Sequence, residues 1–277
     1  MESGVAKHPI DDWNRYRAEL DRRLSNDNQL FPGIGNKARK DPKRVVFAEA
    51  DNVQILKAAQ IVLDDGIAYP ILLGEERKIR MLAETNNIDL ESIPIIDPRA
   101  DELESKRQEF ADLYFKKRQR RGVNQYEAYK SMRDRIRFAC MMLETGEADA
   151  VIGGLTRNYP ETVRPALQVI GTEKGVKNIA GMYIMLTKQG PLFLADTTVN
   201  FNPSSEELAD ITLMVANEVR MFGITPRIAM LSYSNFGTSN TPEAILVRRA
   251  REIVKEKILV SLWTAKCRAL WLSTKKS

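Results

Sequence analysis

Arg44–Gly74 reads RVVFAEADNVQILKAAQIVLDDGIAYPILLG, and its changes of period decide the fold class. Arg44 to Glu49 is a short apolar run with β-branched residues, which predicts a strand. Asp51 is placed to cap a helix on which Val53, Leu56, Ala59 and Val62 recur at helical spacing. Gly66 ends that helix, Ala68–Leu73 predicts a second strand, and Gly74 turns the chain into a helix running to about Glu84. Ser92–Ile96 predicts a third strand. Successive strand–helix units call for a parallel sheet with helices on both faces and right-handed crossovers.

Outward from this core the pattern continues. Upstream, residues 11–24 predict a short charged helix with Trp13, Tyr16, Leu20 and Leu24 on one side, and residues 25–43 read as a connecting segment. Downstream, a charged helix is expected over 101–120 and another over Tyr126–Met142, with Ala128, Met132, Ile136 and Cys140 spaced for burial. Asp149–Gly154 reads as a strand ending in paired glycines, followed by a helix over 160–170 with Pro165 near its start. Ile179–Leu186 and Leu192–Ala195 predict two strands joined by a tight turn. Ser204–Phe222 is amphipathic, and Arg227–Leu231 predicts a last strand before a helix from about Glu243 to Lys257. The expected organisation is an N-terminal helix and linker (1–43), one α/β lobe (44–155), a second, incomplete α/β lobe (156–260) and an atypical tail (261–277).

The 277 residues are 43% hydrophobic, with 42 basic against 37 acidic side chains and a net charge of +5. That balance is weak support for an anionic partner and poor support for nucleic acid. The basic clusters Lys116–Arg121 (KKRQRR) and Arg133–Arg137 sit inside helical patterns and read first as solvated helix faces. No aromatic ladder, finger spacing or helix-turn-helix signal accompanies them. Two cysteines and a polar N-terminal stretch point to a reducing cytoplasm. No apolar run approaches membrane-spanning length. His8 is the only histidine, so neither a histidine metal site nor a Ser-His-Asp triad can be built.

Three strand-end junctions are candidate sites. In Arg227–Pro242, RIAMLSYSNFGTSNTP, a strand runs into a loop with Ser232, Ser234, Asn235, Gly237, Thr238 and Ser239, and a helix start follows. Such a junction offers hydroxyls, free helix N–H groups and the positive end of a dipole to an anion; equally, the loop could do no more than cap the helix. Gly153, Gly154, Thr156 and Arg157, with Arg164 further along, form a second junction. Its glycines allow close backbone approach and its arginines offer a fork for phosphate, against the reading of a plain turn with surface arginines. Asp196, just past a strand end, reads as an acid–base group or as a structural Asx turn.

At this point the residues resemble a known family. RVVFAEADNVQILKAAQ (44–60), GEADAVIGG (146–154), TVRPALQVIGT (162–172), FLADTTVNFNPSSEELADI (193–211) and FGITPRIAMLSYSNFGTS (222–239) are similar, in this order, to segments of the phosphate acetyltransferase (phosphotransacetylase) family. ESGVAKHPI (2–10), YIMLTKQGPLFLADTTVN and SYSNFG lean towards the acetyltransferase-like C-terminal domain of bacterial hybrid NADP-dependent malic enzymes. The resemblance implies a two-lobed α/β fold like that of the isocitrate and isopropylmalate dehydrogenases, and a homodimer or higher homo-oligomer. It implies coenzyme A or acetyl-CoA as substrate or effector, with no metal needed. It implies a small anionic ligand (acetyl-CoA, acetyl phosphate or phosphate) in the cleft between lobes, and a malic enzyme domain fused to this one. Carried over by position, Thr156 and Arg164 would hold phosphate or acetyl phosphate, and Ser232, Ser234 and Thr238 would line the cleft; with Asp196 added from the residue reading, Arg164, Ser232 and Asp196 are the candidate catalytic residues. Gly153, Gly154, Thr156, Arg157, Ser234, Asn235, Gly237, Thr238 and Ser239 would line the phosphate or acetyl-CoA site. The role would be acetyl transfer between coenzyme A and phosphate, or acetyl-CoA sensing without turnover; malate oxidation would belong to the other half of such a hybrid.

The tail ILVSLWTAKCRALWLSTKKS departs from the family, whose members continue with a strand and a Val-Asp-Gly-Glu-Met-Gln-like motif. Codons for those six residues, read one base out of phase, give Trp263 to Arg268 (WTAKCR). The expectation is a frameshifted tail, with a genuine divergent C-terminus as the alternative, and no acetyl transfer by this chain alone.

Overall fold

The structure, a computed structural model, describes residues 12–14, 16–17, 30–173, 175–187, 190–232 and 238–264. The tail from 265 onward, and most of the helix expected over 11–24, lie outside them. The chain divides into two compact units, one over Gly33–Glu173 and one that includes Lys174–Ser277.

The first unit is the parallel sheet. After α1 (Leu30–Lys40) come β1 (Lys43–Phe47), α2 (Val53–Asp64), β2 (Ala68–Leu73), α3 (Glu76–Thr85) and β3 (Ile95–Ile96). Then follow α4 (Glu104–Arg118), α5 (Gln125–Ser131), α6 (Arg135–Glu144), β4 (Ala150–Ile152) and α7 (Tyr159–Val169). The strand order is β3-β2-β1-β4, every pair parallel. Alternation along the strands sorts the core. Phe47 and Leu72 face α2 and α3, where Leu56, Ala59, Ile79 and Ala83 are buried. Val46, Ala48 and Leu73 face the other way, onto Phe110, Ile136, Phe138 and Met141 of α4 and α6. Helices therefore cover both faces, as the sequence predicts.

Four local expectations change. Residues 30–40, read as part of a connection, form α1; Pro32 is tolerated because its first-turn position needs no N–H partner. The single helix expected over 126–142 is two. Asp134 breaks it by accepting a hydrogen bond from the Arg137 amide (3.0 Å), which makes a new N-cap for α6. Asn52 caps α2, accepting from the Gln54 amide at 2.8 Å; Asp51 is free for another task. The third strand shortens to Ile95–Ile96.

The start of the β1–β4 pair is fastened by Arg44 and Asp149. The Arg44 amide (2.9 Å), Nε (3.0 Å) and Nη2 (2.9 Å) all donate to the Asp149 carboxylate. A planar fork on a carboxylate fixes register as well as charge. The guanidinium holds the Asp149 carboxyl down to about 2.

The second unit holds an antiparallel hairpin, β5 (Met182–Thr187) and β6 (Gly190–Ala195), with α8 (Ser205–Met221) and α9 (Pro242–Thr264). A capping box starts α8: the Glu207 amide donates to Ser204 Oγ and the Ser204 amide to Glu207 Oε2 (2.8 Å). Ser205 Oγ donates to the Leu246 carbonyl (3.1 Å), and Lys257 pairs with Asp210 (2.5 Å), joining α8 to α9. The strand expected over Arg227–Leu231 does not form among the described residues. A strand exists through its ladder partner; this apolar run has none there, and Leu231 is 81% exposed.

Candidate functional site

The carboxyl ends of parallel strands are where open α/β sheets place their ligand crevice. In the first unit those ends are the loops after β1 (48–52), β2 (Gly74) and β4 (153–158). The sequence led to the third of these, and the structure brings the first two to the same edge.

The loop after β4 presents a run of backbone N–H groups, and they are already engaged. Glu49, only 1% exposed, reaches across from the end of β1. Its Oε2 accepts from the amides of Gly154 (2.6 Å) and Leu155 (2.7 Å). Its Oε1 accepts from the Thr156 amide (3.0 Å) and from the Thr156 hydroxyl. Burial pushes this carboxyl up, but the Thr156 hydroxyl and the amides of Leu155, Thr156 and Gly154 together outweigh it, and Glu49 sits below its ordinary value. The loop thus has the chemistry of an anion nest, with a side chain of the chain itself as the anion. Gly154 holds a φ of +102°, and a Cβ there would crowd Thr162 at 3.3 Å.

The arginines divide into paired and unpaired. Arg157, half-buried, meets Asp134 Oδ2 at 2.5 Å. Arg135, the first residue of α6, meets Asp51 Oδ1 at 2.9 Å. That pairing holds the Asp51 carboxyl below its ordinary range. Gly74 leaves room for it: a Cβ there would lie 3.3 Å from Arg135 Nη1. Arg164, on α7, is exposed and has no hydrogen-bond or ion-pair partner among the described residues. The helix that carries it starts at the Asn158 cap, which accepts from the Glu161 amide at 3.1 Å. Of the basic run 116–121, Lys117 donates to the Val169 carbonyl (2.7 Å) and pairs with Glu144 (2.5 Å), so it serves the C-terminus of α7.

The other sequence-chosen residues belong to the second unit. Asp196 holds a left-handed φ of 58° and accepts from Asn200 Nδ2 at 3.0 Å, while the same amide also donates to the Ile179 carbonyl. This is the geometry of a structural loop. Ser239 Oγ accepts from the Thr241 amide (3.4 Å) just before α9, a local serine turn, and Arg248 donates to the Ser239 carbonyl (3.2 Å). Ser232 and Thr238 are exposed. Ser234, Asn235 and Gly237 lie outside the described residues. No group of three or more His, Cys, Asp or Glu suited to a metal occurs among the described residues, and none of their helices is long and apolar enough to cross a membrane.

Sequence reasoning missed Glu49, Asp51, Asp134 and Arg135. Glu49 falls within the predicted strand, and an acid directly after an apolar run is the signal that marks it. Asp134 lies inside the single helix predicted over 126–142, although an Asp before a helical run is a capping signal.

Comparison with known proteins gives consistent matches. The profile of the phosphate acetyl/butaryl transferase family matches residues 30–260. An NADP-dependent malic enzyme of Escherichia coli is 38% identical over 93% of this chain, and the match spans 34% of that enzyme. The chain therefore spans about a third of the length of the malic enzymes it matches. A phosphate acetyltransferase of Clostridium acetobutylicum is 33% identical over 82% of the chain and 69% of its own length. Among solved structures, the EutD phosphotransacetylase from Staphylococcus aureus superposes with a TM-score of 0.74 at 27% identity, covering 84% of this chain and 69% of its own.

Proposed function

Because the chain belongs to the phosphate acetyl/butaryl transferase family, we propose that it binds acetyl phosphate and coenzyme A and moves the acetyl group between coenzyme A and phosphate. The thiolate sulfur attacks the acetyl carbonyl carbon. The sulfur–carbon bond forms, the bond from that carbon to the bridging oxygen breaks, and inorganic phosphate leaves with the electron pair. Cationic and hydrogen-bonding groups lower the barrier by stabilising the developing oxyanion and the leaving phosphate.

The family match over residues 30–260 carries this reading. The geometry adds Arg164, the arginine near the β4 junction left uncommitted while Arg135 and Arg157 are matched by carboxylates. In this proposal Arg164 receives the phosphate. The proposal includes a homodimer and a cytoplasmic setting. The test is coenzyme A-dependent consumption of acetyl phosphate by the purified chain, with thioester appearing in equal amount. Turnover lost in Arg164→Ala supports the reading and overturns the expectation of an inactive chain drawn from the tail; no turnover by the wild-type chain overturns the reading and bears out that expectation.

A second reading is an acetyl-CoA sensor without turnover, attached to a malic enzyme. The observation favouring it is the match to malic enzymes over 93% of the chain. Calorimetry with acetyl-CoA, run beside the transferase assay, separates the two: binding with no thioester formed selects the sensor.

A further inference from the structure

We infer that Glu49 is a positioning residue: a built-in anion that fixes the Gly154–Thr156 loop, and with it the start of α7 and Arg164, in the form that receives a phosphate-bearing ligand. The identity of that ligand rests on the proposed function; the clamp rests on geometry alone.

A carboxylate is costly to bury without partners. Glu49 is 1% exposed and is kept ionised by four donors, two on each oxygen. Those donors come from three consecutive residues, so one side chain sets the path of the loop. The next two residues are then fixed in turn: Arg157 by Asp134, and Asn158 as the cap of α7. A chain of contacts thus runs from the tip of β1 to the helix bearing Arg164. A ligand phosphate in the same nest would meet a carboxylate and find no free donor, so like charges exclude it. Glu49 therefore shapes the site without touching the ligand.

Removing the carboxylate strands those donors, a larger loss than the bonds themselves are worth. A small anion that enters the vacated space can replace it. The experiment uses the full chain as wild type, Glu49→Ala, Glu49→Ala with added formate, and Glu49→Gln. It reads hydrogen exchange of the Gly154, Leu155 and Thr156 amides, and calorimetric binding of acetyl phosphate. Glu49→Gln keeps the side-chain volume and serves if Glu49→Ala fails to fold. Its amide nitrogen must face one of the donor pairs, so partial loss is expected. Support is loss of protection at these amides together with acetyl phosphate binding weaker by about tenfold or more, both recovered with formate. Unchanged protection, or lost protection with unchanged binding, overturns the inference. If the wild-type chain binds no acetyl phosphate, the transferase reading fails, and amide exchange alone then decides for or against the clamp.

Discussion

Arg157 Nη1 stands 2.5 Å from Asp134 Oδ2, so the break before α6 and the loop after β4 are fastened to each other. Asp134 also caps α6 through the Arg137 amide. Asp134→Ala should lose both, for a destabilisation of about 1–2 kcal/mol. Asp134→Asn keeps a cap and should lose less. Urea unfolding midpoints of the three proteins check this.

Gly154→Ala tests the left-handed backbone of the same loop. A φ of +102° strains any L side chain, and the new Cβ would crowd Thr162. We expect a loss of about 1–2 kcal/mol, larger than at an ordinary glycine. Equal destabilisation by Gly122→Ala, whose Cβ would meet nothing within 4 Å at a φ of +86°, would assign the whole effect to backbone strain and none to Thr162.

The Arg44–Asp149 fork predicts a pH dependence. The folded-state pKa of Asp149, about 2, lies below the unfolded value. Its stabilisation is therefore fully present above about pH 4 and lost as pH falls towards 2. The stability gap between wild type and Asp149→Asn should be constant from pH 7 to about 4 and shrink below that. A gap that grows on acidification would contradict the assignment. Urea titrations at a series of pH values read it directly.

Arg164→Ala separates binding from folding. The side chain is exposed and unpartnered among the described residues, so unfolding should shift by less than about 0.5 kcal/mol. Acetyl phosphate binding should weaken by about tenfold or more, the loss of a charge-assisted contact. Circular dichroism melts and calorimetry measure the two effects on one preparation.

The parallel sheet was legible because its signals are local. Val46, Phe47, Leu72 and Leu73 alternate between two cores that each needed a helical stripe nearby in sequence. The second unit was less so. Arg227–Leu231 has the composition of a strand, but pairing is a relation to another segment, and composition does not name that segment. The site was half legible. Glycines and arginines at 153–164 read equally as a loop for anions and as a plain turn with surface arginines. That its N–H groups belong to Glu49 depends on two residues 105 positions apart meeting at one strand tip, which no local pattern encodes.

Glu49 with Gly154 at one end, and Arg44 with Asp149 at the other, both join residues 105 positions apart. The β1–β2 ladder needs far less chain between its partners, since Lys43 faces Ala68. Assembly of this unit therefore has a natural order: the nearby strands pair early, and the distant fourth strand docks late, because long-range closure is slow. Until it docks, three amides and a carboxylate stay in water, so the Glu49 contacts belong to the closure of the longest loop in this ladder.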